Sequence, residues 1–586
     1  VKKENTNDKS QSFLKGAAIL GGSMVVVRLM GMVYKILLSG MYGGVGTGLF
    51  NSAYALYNPL FMLSTAGFPI AISRTVSESI ARKRYRDVRQ IHKLSVPIFV
   101  FAGLLCFLAM VIGSFIYVRV INADNAIFAL LCLSPTIFFG CLMSIYRGYF
   151  EGMRNMTPTA ISEIIEAACK LILGFSASFI TMKLCLNEYN NSGYVLGVKC
   201  ASEAQANAAA IPIAIGAAIT GISLGSVFGF LFLFIRYRRG GDGITAEMLR
   251  ASPPPKSNGT IIRVLVKTAI PIGLGAIVMS VADMIDSTLI QRQIFRIMEN
   301  NPDALLNVYA SLIPDDVVYS GSTHTYLYGC YGIANTLMML VTALTQVFGT
   351  TALPSVTNAW TVKNKEKLKA SMETVLRVTV LVTIPSGIGI SVLAQPLLSL
   401  IYSSPSVANE VEIGSRVLTV MGISVIFIAI STPLCSMLQG IGRMDVPLKL
   451  FVIGLVIKIV VNYILVGIPE INIQGANVGS IVCYGFVVIA ALFVLCRETK
   501  IVPDFISIFV KPLIAAIICG FAAYFSEIFF DFLFYQKIAT ILAVLTAVFV
   551  YAAALLLLHA VSKEDILQMP KGAKIAEILE KRRLIR

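Results

Sequence analysis

The sequence predicts an all-α polytopic membrane protein of about fourteen transmembrane helices: two homologous six-helix lobes around a central cavity, with two extra helices at the C-terminal end. Three observations carry this. Apolar residues make up 56% of the 586 positions against 14% charged, with a mean hydropathy of +0.79, more apolar surface than a soluble core can bury. Apolar runs long enough to cross a ~30 Å hydrocarbon layer recur along the whole chain. One phrase, Gly–Met–Pro in a fixed order between two such runs, occurs twice. The net charge of +16 does not indicate nucleic acid, because the basic residues sit in loops between apolar runs and read as topology signals.

Taken in order, the first six expected spans are 13–39, 49–76, 93–118, 126–148, 158–182 and 208–237. The next six are 261–290, 325–352, 372–396, 412–439, 446–466 and 474–496, and the last two are 506–528 and 538–560. Each is expected to be a helix, since backbone in lipid must satisfy its own hydrogen bonds and no period-2 pattern suggests a barrel. Lys2, Lys3, Lys9 and Lys15 precede the first span, which lacks a small-residue cleavage site in the right place and reads as a retained helix. Arg82, Lys83, Arg84, Arg86 and Arg89 follow the second span, and basic residues recur in alternate loops through Arg154, Arg236–Arg239, Lys363–Lys369, Arg443 and Arg497 to the tail. The positive-inside rule places these loops and both termini in the cytoplasm. The intervening loops are uncharged, as in "MYGGVGTG", or acidic, as around Asp315 and Asp316. "GGVGTG" has no preceding strand and no following Lys-Ser/Thr, so it reads as a tight turn rather than a phosphate loop.

The repeated phrase is "YFEGMRNMTPTAISEIIEAACK" at 149–170 and "MLQGIGRMDVPLKLFVIGLVIK" at 437–458. Each copy turns through a glycine, Gly152 or Gly440, restarts near a proline, Pro158 or Pro447, and reaches Lys170 or Lys458. The copies join spans four to five and ten to eleven, so the repeat unit is six helices. "GFPIAIS" closing span two and "TALPSVT" closing span eight echo it. The expected domains are therefore an N-terminal lobe at 13–237, a cytoplasmic linker at 238–260, a C-terminal lobe at 261–496, helices thirteen and fourteen at 506–560, and a basic cytoplasmic tail at 561–586. "SPPPKSNG" in the linker reads as flexible. An even repeat relates the lobes by an axis along the membrane normal, and two such lobes can rock about a cavity.

The phrases "RLMGMVYK", "STAGFPIAISRTVSE" and "RGYFEGMRNMTPTAISEIIE" resemble the multidrug/oligosaccharidyl-lipid/polysaccharide exporter superfamily, in the branch of the lipid II flippases and stage V sporulation protein B. The resemblance covers spans one to twelve. It implies a V-shaped pair of lobes in a bacterial cytoplasmic membrane, and a flippase moving an undecaprenyl-pyrophosphate-linked peptidoglycan precursor or related lipid-linked oligosaccharide by alternating access. It also implies that the two extra helices form a groove for the lipid tail. A cation-coupled multidrug exporter of the same superfamily is the alternative. Arg28 and Gly31 match the first Arg and the Gly of the flippase pattern in span one, while Tyr34 and Lys35 stand where that pattern has Arg-Asp. Span two is uncharged at "NPLFMLS", where the best-known flippases carry arginines, which favours the sporulation-protein side of the branch.

Charges inside spans cost about 2.5–3.5 kcal/mol each on insertion scales and are the first site candidates. Arg28 and Lys35 share a face of span one with Gly31 between them, suiting a pyrophosphate; the same pattern fits Lys35 snorkelling to an interface and Arg28 pairing with a carboxylate. Glu163, Glu166 and Lys170 form a stripe in span five, readable as a cavity wall in which Lys170 binds substrate and Glu163 and Glu166 serve gating or ion coupling, or as an internal pair that neutralises Glu166. Asp283 and Asp286 in span seven are candidates for gating, pairing with Arg28, or holding a coupling ion, H+ or Na+. Lys458 has no carboxylate stripe and is expected to be available to an anion. Asn51, Tyr54 and Asn58 in span two, and Asn335, Thr342 and Gln346 in span eight, are polar stripes suited to sugar hydroxyls or to helix–helix hydrogen bonds.

Other chemistries lack their motifs. His92, His324 and His559 have no ligand spacing, and no soluble segment is long enough for a catalytic domain, so neither a metal, a cofactor nor an enzyme is expected. Most of the eleven cysteines lie in spans; Cys185 and Cys200 flank an external loop where a disulfide is chemically possible. The expected partners are a lipid-linked glycan precursor and membrane lipids, without nucleic acid, for a monomeric protein.

Overall fold

The computed structural model describes residues 13–65, 67–241 and 244–560. The first lysines of the N-terminus and the basic tail at 561–586 lie outside them. The helices run α1 (Phe13–Thr65), α2 (Gly67–Ala81), α3 (Tyr85–Ile121), α4 (Ile127–Gly152), α5 (Thr157–Cys169) and α6 (Phe175–Ser192). A two-residue hairpin, Tyr194–Val195 with Val198–Lys199, precedes α7 (Glu203–Gly240) and α8 (Ala246–Ala251). Then follow α9 (Asn258–Asn300), α10 (Pro302–Tyr309), α11 (Asp315–Tyr319), α12 (Thr323–Thr361), α13 (Lys365–Val392), α14 (Ala394–Ile401) and α15 (Ala408–Gly440). The chain closes with α16 (Asp445–Val466), α17 (Gly475–Thr499), α18 (Lys511–Leu533) and α19 (Gln536–Leu557).

Helices of this series underlie the expected spans, although 538–560 runs past the end of α19, 372–396 crosses the break at Leu393, and 49–76 crosses residue 66, which lies outside the described residues. Among the described residues, eleven helical stretches are long and apolar enough to cross a membrane. One of them, Ile19–Ala81, takes in most of the first expected span and all of the second. They meet at Gly43, whose backbone (φ 58°, ψ −153°) leaves the helical region within the "MYGGVGTG" segment. Expected spans seven and eight lie in α9 and α12, which are not among the eleven.

The described residues divide into two compact units, one running to Arg292 and including Asp315–Tyr326, the other comprising Gln293–Pro314 and everything from Leu327. In the first, α4 packs against α1, α2, α3 and α7, and its buried face from Ala129 to Gly152 has few polar atoms to desolvate. In the second, α13, α15, α17 and α18 surround a core that includes Leu376, Leu434, Leu438 and Leu495.

The linker expected to be flexible is instead fastened along the α2–α3 turn within the first unit. Buried Asp87 accepts from Arg84 at 2.6 Å and from the backbone N–H of Lys256 at 2.9 Å. Arg84 donates to the Pro254 carbonyl (3.0 Å), Arg86 to that of Leu249 (2.9 Å) and Arg89 to that of Ile244 (3.3 Å). Proline removes a backbone donor but leaves its carbonyl, and at Pro254 the Arg84 guanidinium supplies the partner.

The repeated phrase folds as a repeated turn. α4 and α15 end at Gly152 and Gly440, and the three following N–H groups bond back in one pattern: Met153, Arg154 and Asn155 to Tyr149, Glu151 and Phe150, and Ile441, Gly442 and Arg443 to Met437, Gln439 and Leu438. α5 and α16 then start the same distance after their glycines. Cys185 and Cys200 are buried in one small cluster as free thiols.

Candidate functional site

In the first unit α1, α5 and α7 converge where α5 is interrupted. After Cys169 the turn Lys170–Gly174 is a π-helix, and α6 resumes at Phe175. Such a turn holds one extra residue and re-aims the side chains at its start. α7 seats against it through Gly221, where a Cβ would collide with the backbone of Gly174; a Cβ on Gly174 would lie 2.6 Å from the Ala218 carbonyl oxygen. Buried Tyr34 of α1 donates to that same carbonyl at 2.8 Å. Three segments are thus fixed around the first atoms of Lys170.

The Lys170 ammonium lies 5.1 Å from the Tyr34 ring, 5.3 Å from Tyr54 and 5.8 Å from Phe50, and donates to Tyr54 Oη at 3.2 Å. These rings continue as a ladder along α1, with centroids 4.7 Å apart for Phe50–Tyr54, 5.6 Å for Tyr54–Tyr57 and 4.9 Å for Tyr57–Phe61. Cation–π attraction of about 0.5–2 kcal/mol holds the ammonium in place. Lys35, half-buried, stands within electrostatic reach of Lys170. Two cations beside aromatic faces form an arrangement that favours an anion carrying a stackable or sugar-like group.

Lys170 does not neutralise Glu166, as the stripe suggested. Glu166 pairs with Arg147 of α4, Nη2 to Oε2 at 2.7 Å, and its other oxygen accepts from Ser226 of α7 at 2.9 Å. Arg147 also donates to Ser162 at 3.0 Å. The physical reason is that the Arg147 guanidinium fork meets a carboxylate and a hydroxyl together, while the Lys170 ammonium is held against the rings of α1. Glu163 accepts from Ser23 of α1 at 3.1 Å, and both Glu151 and Glu163 feel the charge of Arg147. One arginine therefore faces three carboxylates in the lower polar layer of this unit.

The other candidates are spread around these two layers. Arg28 is exposed, and among the described residues open space lies beside Gly31. Asn51 and Asn58 are half-buried, and Asn51 Nδ2 has no hydrogen-bond partner among the described residues. Asp283 is exposed but Asp286 is buried, so the two do not present a shared face. Near Asp286, Tyr117 donates to Ser287 (2.8 Å) and Gln291 to Ser52 (3.0 Å). Lys458, expected to be available to an anion, is only 3% exposed in an uninterrupted α16, because α17 closes against the helix at Gly454 beside Cys483. In span eight, Thr342 donates back to its own helix at Met338 and Met339, Asn335 is half-buried, and the side chain of Gln346 lies outside the described residues. Arg147 and Ser226 were missed; Arg147 opens one of the family phrases, and an arginine within the last turn of span four was the available signal.

This architecture is that of an all-α, multi-pass membrane transporter. It superimposes on an inward-facing multidrug resistance MATE family transporter of the MOP superfamily with a TM-score of 0.59 at 15% identity, over 81% of this chain and 94% of that one. It superimposes on the lipid II flippase MurJ in an inward closed conformation with a TM-score of 0.58 at 16% identity, over 92% and 98%. More particularly, the chain belongs to the polysaccharide biosynthesis protein family, whose model matches residues 13–360, within the multidrug/oligosaccharidyl-lipid/polysaccharide exporter superfamily; the MatE model matches 316–464. Curated relatives from Bacillus subtilis (strain 168) include lipid II flippase MurJ, 24% identical over 82% of this chain and 83% of the relative, and stage V sporulation protein B, 22% identical over 96% and 98%.

Proposed function

We propose that the protein is a flippase that carries a prenyl-pyrophosphate-linked glycan, lipid II or a related lipid-linked oligosaccharide, across the cytoplasmic membrane by alternating access. The observation that carries this reading is Lys170 held among Tyr34, Phe50 and Tyr54 with Lys35 beside it: charge for a pyrophosphate and ring faces for a sugar. The likeness to MurJ and to stage V sporulation protein B supports the substrate class. In this reading Arg28, exposed on α1, meets the pyrophosphate first and hands it to Lys35 and Lys170, while Asn51, Tyr54 and Asn58 take sugar hydroxyls. The prenyl tail stays in lipid along α18 and α19.

A second reading, a cation-coupled multidrug exporter, draws on the three carboxylates around Arg147, which can hold a proton or a cation. Native mass spectrometry with a prenyl-pyrophosphate glycolipid separates the two. Wild type should retain the lipid and Arg28→Ala should bind it at least tenfold more weakly. Equal binding would remove Arg28 from the path, and no binding by wild type would hand the site to the exporter reading.

A further inference from the structure

The second unit contains a cavity of about 400 Å3 that lies apart from every residue discussed so far. It opens between the loop after α14, the first turn of α15 and the first turn of α19, at the ends of these helices opposite the basic α17–α18 loop. The positive-inside rule puts these ends on the outer face. The lining brings together the amides of Gln395 and Gln536, the hydroxyls of Ser399, Ser404 and Thr540, and the ammonium of Lys537. Thr540 also touches Glu527 of α18, 3.2 Å from Oε1, while Glu527 Oε2 is buried with no hydrogen-bond partner among the described residues. Glu412, on the opposite wall, is already paired with Arg416 at 2.9 Å. The two charged residues of the lining, Glu412 and Lys537, are of opposite sign, so the cavity has little net field to select a phosphate. What it offers is a dense set of neutral donors and acceptors, the chemistry that recognises hydroxyl and acetamido groups.

Two further features say where the ligand comes from. The volume falls in the about 300–1,000 Å3 range of small-molecule sites, enough for a short glycan but not for one with a prenyl chain. Directly beside it the turn between α18 and α19 exposes a run of rings, Phe529, Phe532, Phe534 and Tyr535, with Phe532 at 90% and Tyr535 at 87% exposure. Exposed aromatics at a helix end mark the membrane–water interface. A polar cavity at that level faces groups presented by lipid in the leaflet.

We propose that this cavity binds the glycan headgroup of a membrane-anchored lipid on the outer leaflet. The proposal deepens the flippase reading, and rests on it for direction, by giving the headgroup a landing site after it crosses. Isothermal titration of the full-length protein in nanodiscs with N,N′-diacetylchitobiose, with prenyl pyrophosphate bearing no sugar, and with the same prenyl pyrophosphate bearing an N-acetylated disaccharide tests it.

Wild type should bind the free disaccharide weakly and the lipid-linked one more tightly. Gln395→Leu combined with Gln536→Leu should weaken disaccharide binding at least tenfold. Gln536→Glu, which keeps an acceptor, should retain part of the affinity and controls for a folding defect. Undiminished disaccharide binding in the double variant, or no binding by wild type, would overturn the proposal. So would competition by the sugar-free pyrophosphate as effective as that by the disaccharide. Cavity-dependent disaccharide binding in a protein that moves no glycolipid would leave this site standing and remove only the flippase reading.

Discussion

The two copies of the Gly–Pro helix restart share a backbone and differ in what they bury. The same back-bonded turn ends α4 and α15, and the same spacing starts α5 and α16. In register, however, Arg147, Glu163 and Glu166 of the first copy face Cys435, Phe451 and Gly454 of the second. Lys170 opens a π turn among rings, whereas its counterpart Lys458 lies buried in regular helix. A turn that only fixes helix geometry tolerates this divergence, because its requirement is backbone hydrogen bonding and little else. The polar layers have been added to, or kept in, one half. The difference teaches that the repeat is a scaffold on which the ion pair of Arg147 and the ring-held Lys170 are particular to the first copy.

The comparison breaks most visibly if the two lysines behave alike. Lys170→Met should lower glycolipid translocation in proteoliposomes at least tenfold with little change in thermal stability, whereas Lys458→Met should leave translocation within about twofold; the reverse ranking would assign the chemistry to the second half. Next in size is the arginine. Arg147→Ala leaves Glu166 without its cation and should cost about 3 kcal/mol, against about 1 kcal/mol for Cys435→Ala at the matched position, read from melting in detergent. A smaller contrast lies in the helix crossings. Gly221→Ala drives a methyl into the backbone of Gly174 and should cost about 2 kcal/mol, while Gly454→Ala meets the movable Cys483 thiol, 3.0 Å away, and should cost less than about 1 kcal/mol. The smallest test concerns the turns themselves. Arg154 holds φ at 55° where the second copy has Gly442 at 88°. Arg154→Gly should be neutral or stabilising by about 0.5 kcal/mol and Gly442→Ala destabilising by about 1 kcal/mol, because the left-handed region penalises a Cβ.

What the sequence disclosed and what it hid divide along physical lines. Apolar run length is a one-dimensional property, so the spans, the turn at Gly43 and the doubled phrase were all readable. The partner of Glu166 was not. Helical spacing nominates Lys170, four residues on, but its ammonium lies against the rings of α1, and Arg147 arrives from the preceding helix across the very turn that the repeat defines. Nothing in "CKLILG" distinguishes a π turn from ordinary helix, since both bury apolar residues and hydrogen-bond the same backbone. The Pro-rich segment misled for a related reason: composition reports that it forms no regular ladder, not that Arg84 stands ready to bind the Pro254 carbonyl and Asp87 the Lys256 N–H.

The π turn also carries a prediction about insertions and deletions that substitutions alone would not reveal. A regular helix advances about 100° per residue. Removing one residue from 170–174 would let the ladder close as ordinary α-helix and restore continuity between α5 and α6 without turning either of them over in the membrane. The surplus residue is thus a removable wedge: its excision should preserve insertion and topology while rotating α6 by about 100° relative to α5 and Lys170. A single-codon deletion there would separate the helix as a membrane span from the helix as a carrier of charge.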